Sequence, residues 1–257
     1  MARLRLTFLG TGTSMGVPTL GCPCAVCRSD DARDRRTRPS LLLQYDGRAV
    51  VIDTSPDFRQ QALRAGLSRV DAVLYTHAHA DHILGLDDLR PFNLRQGQIP
   101  LYANRATRET IQRVFSYVFD GGGTLNSTIP EVGFTDIDGP FDLFGLRFLP
   151  FPLEHGDMGV LGFRFGRAAY ATDFSVIPPA VLAELQGLDV LILDALRDHP
   201  HPNHSTVEQS VALVRQLQPR RAYFTHIAHD LPHAQTNARL PAGVELAYDG
   251  LTLEVES

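Results

Sequence analysis

No apolar run in this 257-residue chain approaches the roughly 20 residues that a membrane-spanning helix needs. The opening stretch, Met1 to Phe8, is also too short in apolar residues to act as a secretory signal. A cytoplasmic protein with no membrane partner is therefore expected. A basic stripe is missing as well. Arg33, Arg35, Arg36 and Arg38 cluster in one early segment, but the formal net charge is -5, which makes a long DNA duplex a poor partner. Cysteine is scarce: there are three, all between Cys22 and Cys27. Three thiols cannot pair completely among themselves, and in a reducing compartment such a cluster points to metal more than to disulfide.

What is present suits an ordinary globular core, with 44% hydrophobic and 21% charged residues. The length fits one sandwich-type domain as well as two smaller ones. Short apolar strands alternate with turns rich in Gly, Pro and Asp. Strands are expected over 4–9, 40–45, 49–52, 72–75, 188–193, 221–225, 244–248 and 251–255, with several more between 132 and 172. Helices are expected over 57–65, over 107–118 from the stripe Ile111, Val114, Phe115 and Val118, and over 205–217 behind the capping box Ser205-Thr206-Val207-Glu208. Two β-rich halves with helices outside them give an α+β chain in four layers.

The strongest local signal is Thr76-His77-Ala78-His79-Ala80-Asp81-His82, which follows the strand ending at Tyr75. In extended backbone His77 and His79 point to one side. Asp81 and His82 come where the chain must turn, ahead of Gly85. Imidazoles and carboxylate together suit zinc, manganese or iron, and an incomplete ligand shell is the mark of a catalytic site. The pattern of an apolar strand, a threonine and then a ligand-type residue recurs at Thr172-Asp173 and Thr225-His226, while His155 follows another strand-like run. Residues at the same ends of neighbouring strands can converge although distant in sequence. A lone histidine such as His233 is read instead as a structural side chain, and His199 and His201, in a Pro-rich loop, as solvated. Asp53 ends a strand and is either a simple turn residue or an acceptor that orients a ligand imidazole. The Gly10 to Gly16 loop offers a weaker hint of backbone N–H groups for a phosphate.

With its His-x-His-x-Asp-His motif and the later His155, Asp173 and His226, the chain resembles the metallo-β-lactamase-fold hydrolases. The resemblance implies a four-layer αββα sandwich spanning residues 1–257 as a single hydrolase domain. It implies two divalent ions, zinc or manganese: one on His77, His79 and His155, the other on Asp81, His82 and His226, with Asp173 between them. Asp81 counts among the catalytic groups too. The segments Leu9-Gly10-Thr11-Gly12-Thr13-Ser14 and Gly21-Cys22-Pro23-Cys24-Ala25-Val26-Cys27 narrow the likeness to the phosphoribosyl cyclic phosphodiesterases of phosphonate breakdown. These are similar to transfer-RNA 3′-processing nucleases but lack the long tRNA-gripping arm, and no basic Gly/Pro-rich insertion occurs here. In that branch Cys22, Cys24, Cys27 and His229 hold a structural zinc, which makes residues 21–28 a metal-binding loop. The physics of Cys-x-Cys-x-x-Cys agrees, since it wraps a tetrahedral ion that lacks only a fourth ligand.

The reaction expected from the resemblance is hydrolysis of a small cyclic phosphodiester, such as 5-phosphoribosyl 1,2-cyclic phosphate, by a hydroxide held between the two ions. His204 supplies the leaving-group proton, and a homodimer is the expected assembly. The alternatives are a phosphodiesterase acting on nucleoside 2′,3′-cyclic phosphates or RNA ends, and a metal-binding or redox scaffold without hydrolysis. Thioester or lactam cleavage ranks below these. Substrate choice is assigned to the loops 90–98 and 119–130.

Overall fold

The computed structural model describes residues 3–120 and 128–256. Their strands form two seven-stranded sheets. The first sheet takes β1 (Arg3–Gly10), β2 (Ser40–Tyr45), β3 (Arg48–Ile52), β4 (Ala72–Leu74), β5 (Ile99–Ala103) and β6 (Val132–Asp136) in chain order. The second contains β7 (Phe141–Leu143), β8 (Leu146–His155), β9 (Met158–Phe165), β10 (Ala168–Ala171), β11 (Val190–Asp194), β12 (Arg221–Thr225) and β13 (Val244–Leu246). The last strand, β14 (Thr252–Glu256), returns to the first sheet and pairs antiparallel with β1. The strand orders are β14-β1-β2-β3-β4-β5-β6 and β13-β12-β11-β10-β9-β8-β7.

Each sheet joins an antiparallel half to a parallel half. Parallel neighbours need a crossover, and helices supply it. In the first sheet these are α1 (Phe58–Arg64), α2 (Ala80–Ile83), α3 (Arg90–Gln96), α4 (Arg105–Val114) and α5 (Ser116–Phe119). In the second they are α6 (Pro179–Glu184), α7 (Val207–Leu217) and α8 (His233–Arg239). Parallel strands covered on both sides must be apolar on both faces, and these are. Val50 and Ile52 of β3 pack between the sheets with Phe148, Phe163 and Tyr170, while Ala49 and Val51 of the same strand pack outward with Phe58 and Ile111. A third apolar layer, holding Leu191, Leu193, Val207 and Val211, joins the second sheet to its helices. The result is the four-layer αββα sandwich.

Several boundaries depart from the sequence reading. The helix expected over 107–118 breaks at Phe115 (φ -107, ψ 41) into α4 and α5, which leaves Val114 exposed and Phe115 buried. The capping box at α7 is Thr206 with Gln209, one residue beyond the pair expected, because the Ser205 hydroxyl is buried against Ser210. The 90–98 loop contains α3, and residues 121–127 of the 119–130 loop lie outside the described residues.

His233 proves to be a core histidine. It is buried, and its Nδ1 accepts from the buried Arg36 guanidinium at 3.1 Å. Arg36 also donates to the Thr11 hydroxyl and the Ala247 carbonyl, tying the N-terminal loop to the end of the chain. Burial and then the Arg36 charge push His233 down to about 4 from an ordinary 6.5. Its protonation therefore favours the unfolded chain. The stability it confers is intact above about pH 6.5 and is lost as pH falls through about 4. In urea titrations at about pH 7 and about pH 4.5, the gap in stability between the native chain and His233→Gln should narrow at the lower pH. A gap independent of pH would contradict this.

Candidate metal centre

The C-terminal ends of β3, β4, β10, β11 and β12 meet at one edge of the sandwich, where open α/β sheets generally place their ligand sites. Asp53, Asp173 and His226 follow β3, β10 and β12 respectively. All three have positive φ, at 63°, 53° and 57°. Left-handed backbone is costly for such residues and tends to collect at functional sites. Gly85 closes the turn after the histidine motif because a Cβ there would lie 2.1 Å from the Ser55 carbonyl oxygen.

The structure brings together every ligand-type residue expected here. Ligand atoms of His77, His79, His155 and Asp173 lie within 4.8 Å of one another, as do those of Asp81, His82, Asp173 and His226. Asp173 belongs to both groups. Its Oδ1 accepts the Thr172 hydroxyl at 2.7 Å, while Oδ2 lies 3.3 Å from His82 Nε2, 3.3 Å from His226 Nε2 and 3.8 Å from His77 Nε2. Asp81 Oδ2 lies 3.3 Å from His82 Nε2 and 3.6 Å from His226 Nε2.

Hydrogen bonds outside the cluster fix which imidazole nitrogen faces inward. Asp53 is fully buried and accepts Thr76 N–H, the Thr76 hydroxyl and His82 Nδ1–H, each at 2.8 Å. The Thr76 oxygen in turn accepts from His77 Nδ1 at 2.9 Å. His155 Nδ1 donates to the Asn203 carbonyl at 2.8 Å. Each ring therefore turns a lone pair on Nε2 toward its neighbours, the tautomer a ligating histidine needs. Asp53 is thus the orienting acceptor rather than a simple turn residue.

These groups fit divalent cations. His82 Nε2, His226 Nε2 and Asp81 Oδ2 are buried without a hydrogen-bond partner, which is costly unless something else satisfies them. Donors bound tetrahedrally at about 2.1 Å stand about 3.4 Å apart, near the 3.3 and 3.6 Å spacings here. The electrostatics agree. Burial opposes ionisation of Asp81 and Asp173, yet His82 beside the first and His226 beside the second hold both carboxyls well below the usual range. Burial likewise opposes charge on His226, but Asp173 pushes it up to about 9. Two buried carboxylates thus draw positive charge into the cluster.

His204 packs between His155 and His226, with ring centroids 4.6 and 4.7 Å away. Its Nδ1 donates to Asp194 Oδ2 at 2.8 Å. Asp194 is fully buried at the end of β11 and also accepts Phe174 N–H at 3.2 Å. This aspartate is absent from the sequence reading, although it too ends an apolar strand. His199 is exposed, whereas His201 is partly buried, with its ring 4.9 Å from that of His204.

The three cysteines form a second cluster with His229. Their Sγ atoms lie 3.2, 3.4 and 3.5 Å from His229 Nδ1 for Cys22, Cys24 and Cys27. The edges of a tetrahedron of mixed Zn–S and Zn–N bonds are about 3.6 Å. The Cys27 N–H donates to Cys24 Sγ and helps hold that thiol down at about 6, while burial pushes Cys27 up to about 11. In the Gly10 to Gly16 loop the N–H groups of Thr11, Gly12, Thr13 and Gly16 are already bonded to Asp249, Thr37, Ile227 and Thr13.

Residues 48–227 match the β-lactamase superfamily domain. A crystal structure described as a new diphosphatase from the PhnP family is 52% identical, covers 98% of each chain and superposes with a TM-score of 0.92. The chain belongs to the metallo-β-lactamase superfamily, in its PhnP-like branch. Zn2+-bound PqqB from Methylobacterium extorquens has the same fold, with a TM-score of 0.79 at 22% identity over 98% of this chain and all of that one. An octanoyltransferase of Porphyromonas gingivalis is 38% identical over 96% of this chain. The chain spans about half (51%) of that protein's length.

Proposed function

We propose that the protein is a metal-dependent phosphodiesterase that opens a small cyclic phosphodiester such as 5-phosphoribosyl 1,2-cyclic phosphate. The observation that carries this reading is the pair of donor sets sharing Asp173, with the Asp194–His204 pair against their edge. His77, His79 and His155 would hold one divalent cation and Asp81, His82 and His226 the other, with Asp173 common to both. Bound there, such ions lower the pKa of water and neutralise charge on phosphate oxygens.

The chain's own residues do the rest. Asp53 and Asn203 orient the ligand imidazoles. His204, with Nδ1–H on Asp194, presents Nε2 as the atom that gives a proton to the leaving sugar oxygen. Asp194 stabilises the imidazolium that this role requires, as the buried aspartate does in a Ser-His-Asp triad. Cys22, Cys24, Cys27 and His229 would hold a structural zinc, which would tie the N-terminal loop to the segment after β12.

A second reading has a specific support. The 52% identical neighbour is described as a diphosphatase, so a P–O–P linkage is the other candidate bond. Phosphorus NMR on metal-replete protein separates the two. The substrates are ribosyl 1,2-cyclic phosphate with and without a 5-phosphate, nucleoside 2′,3′-cyclic phosphates, a linear diester and a dinucleoside diphosphate. Opening of the 1,2-cyclic ring is expected. Turnover of the diphosphate alone moves the assignment to anhydride cleavage, and of the nucleotides alone to RNA turnover. Silence on all of them removes the phosphodiesterase reading.

A further inference from the structure

The loop between β11 and α7 carries a histidine that the proposed reaction does not use. His201 Nδ1 accepts the Asn203 backbone N–H at 3.2 Å. An amide N–H can only donate, so the His201 proton sits on Nε2. The carbonyl of the same residue, Asn203, accepts from His155 Nδ1. One backbone residue thus sets two imidazoles in opposite tautomers. His155 turns a lone pair toward the metal centre, and His201 is left with an N–H to offer.

The surroundings of that N–H favour an anion. The rings of His226, His204 and His201 form a row, with centroid spacings of 4.7 and 4.9 Å, that leads from the buried ligands to the partly exposed His201. Among the described residues no hydrogen bond reaches His201 Nε2, and no carboxylate lies within ion-pair distance of its ring. The loop's own acid, Asp198, is held by Arg239 at 2.7 Å. The loop is also firmly built. The Arg197 guanidinium donates to the carbonyls of His199 and Pro200 at 3.2 and 3.0 Å, and the Arg197 carbonyl accepts Val207 N–H at 3.1 Å. A donor held in place by its loop loses little freedom when it binds.

We infer that His201 contacts the substrate, donating Nε2–H to a second phosphate group that lies beyond the phosphorus under attack, on the leaving-group side marked by His204. This rests on the phosphodiesterase reading and adds a specificity determinant to it. The ligand class is a sugar cyclic phosphate that also carries a terminal phosphomonoester. A hydrogen bond from imidazole to a phosphate oxygen is charge-assisted, and its loss is expected to cost about tenfold in affinity.

The test compares the native enzyme with His201→Ala and His201→Gln on ribosyl 1,2-cyclic phosphate with and without the 5-phosphate. For His201→Ala the preference for the phosphorylated ring, taken as a ratio of kcat/KM values, should fall about tenfold, mainly through KM. The glutamine variant, which restores an N–H donor, should recover most of that preference. Equal losses on both rings would mean that His201 only braces the loop, and no loss would mean that it is not used. Either outcome overturns the proposal. Calorimetric titration with ribose 5-phosphate needs no turnover and should show about tenfold weaker binding to His201→Ala. If the native enzyme opens neither ring, the functional reading fails while this titration still decides the contact: equal affinities for the native protein and the variant overturn it.

Discussion

An Asp173→Asn enzyme should lose about half of the divalent metal bound outside the cysteine cluster and about a thousandfold in kcat/KM, a barrier increase of about 4 kcal/mol. The substitution preserves shape and removes one charge. Asp173 Oδ2 faces His77, His82 and His226 together, at 3.8, 3.3 and 3.3 Å. It is therefore the group through which the two donor sets communicate. Without its charge Asp81 is the single carboxylate left among the seven donors that would hold two dications. An asparagine carbonyl can still take up one ligand position, but it holds a dication less strongly and cannot bridge two of them with a full negative charge. Metal content by mass spectrometry of the purified variant, alongside its kinetics and thermal melt, makes the test. A variant that keeps the native metal content and full turnover would remove Asp173 from the centre.

The reason this site is legible in the sequence is local. His77, His79, Asp81 and His82 occupy one turn of chain. Asp173 and His226 each follow a threonine at or just past a strand end, so a pattern of residue types records the spatial event of strands ending at one edge. Asp194 escapes the same logic for two reasons. No threonine precedes it, and the expected strand stops at Leu193, whereas β11 includes Asp194. Asn203 is illegible because it acts through its backbone, which leaves no residue-type signal. Among the helices, α3 has no buried residue and so no apolar stripe to betray it, and Pro91 near its start reads equally well as a turn. The strands β13 and β14 are separated by only a few residues yet edge different sheets. Such pairings depend on which partner strand arrives, not on local pattern.

Asp194→Asn is the second change with a large expected effect, because an amide can accept from His204 but cannot balance an imidazolium. kcat should fall by about a thousandfold on a substrate with a poor leaving group, within the range that a positioned general acid contributes. KM should stay nearly constant. The loss should shrink on a p-nitrophenyl diester, whose leaving group departs without a proton. His204→Ala should show the same selectivity, and the double variant should be no slower than His204→Ala alone, since two residues acting as one unit are not additive. The geometry allows a competing route for the same substitution. Asp194 Oδ1 lies 4.0 Å from His226 Nδ1, so neutralising it could act by loosening a metal ligand instead. Metal content separates the two routes. Full metal occupancy with a slow, leaving-group-dependent kcat places Asp194 behind the proton donor. Depleted metal with equal losses on both substrates places it behind His226, and His204 then has no claim to the proton.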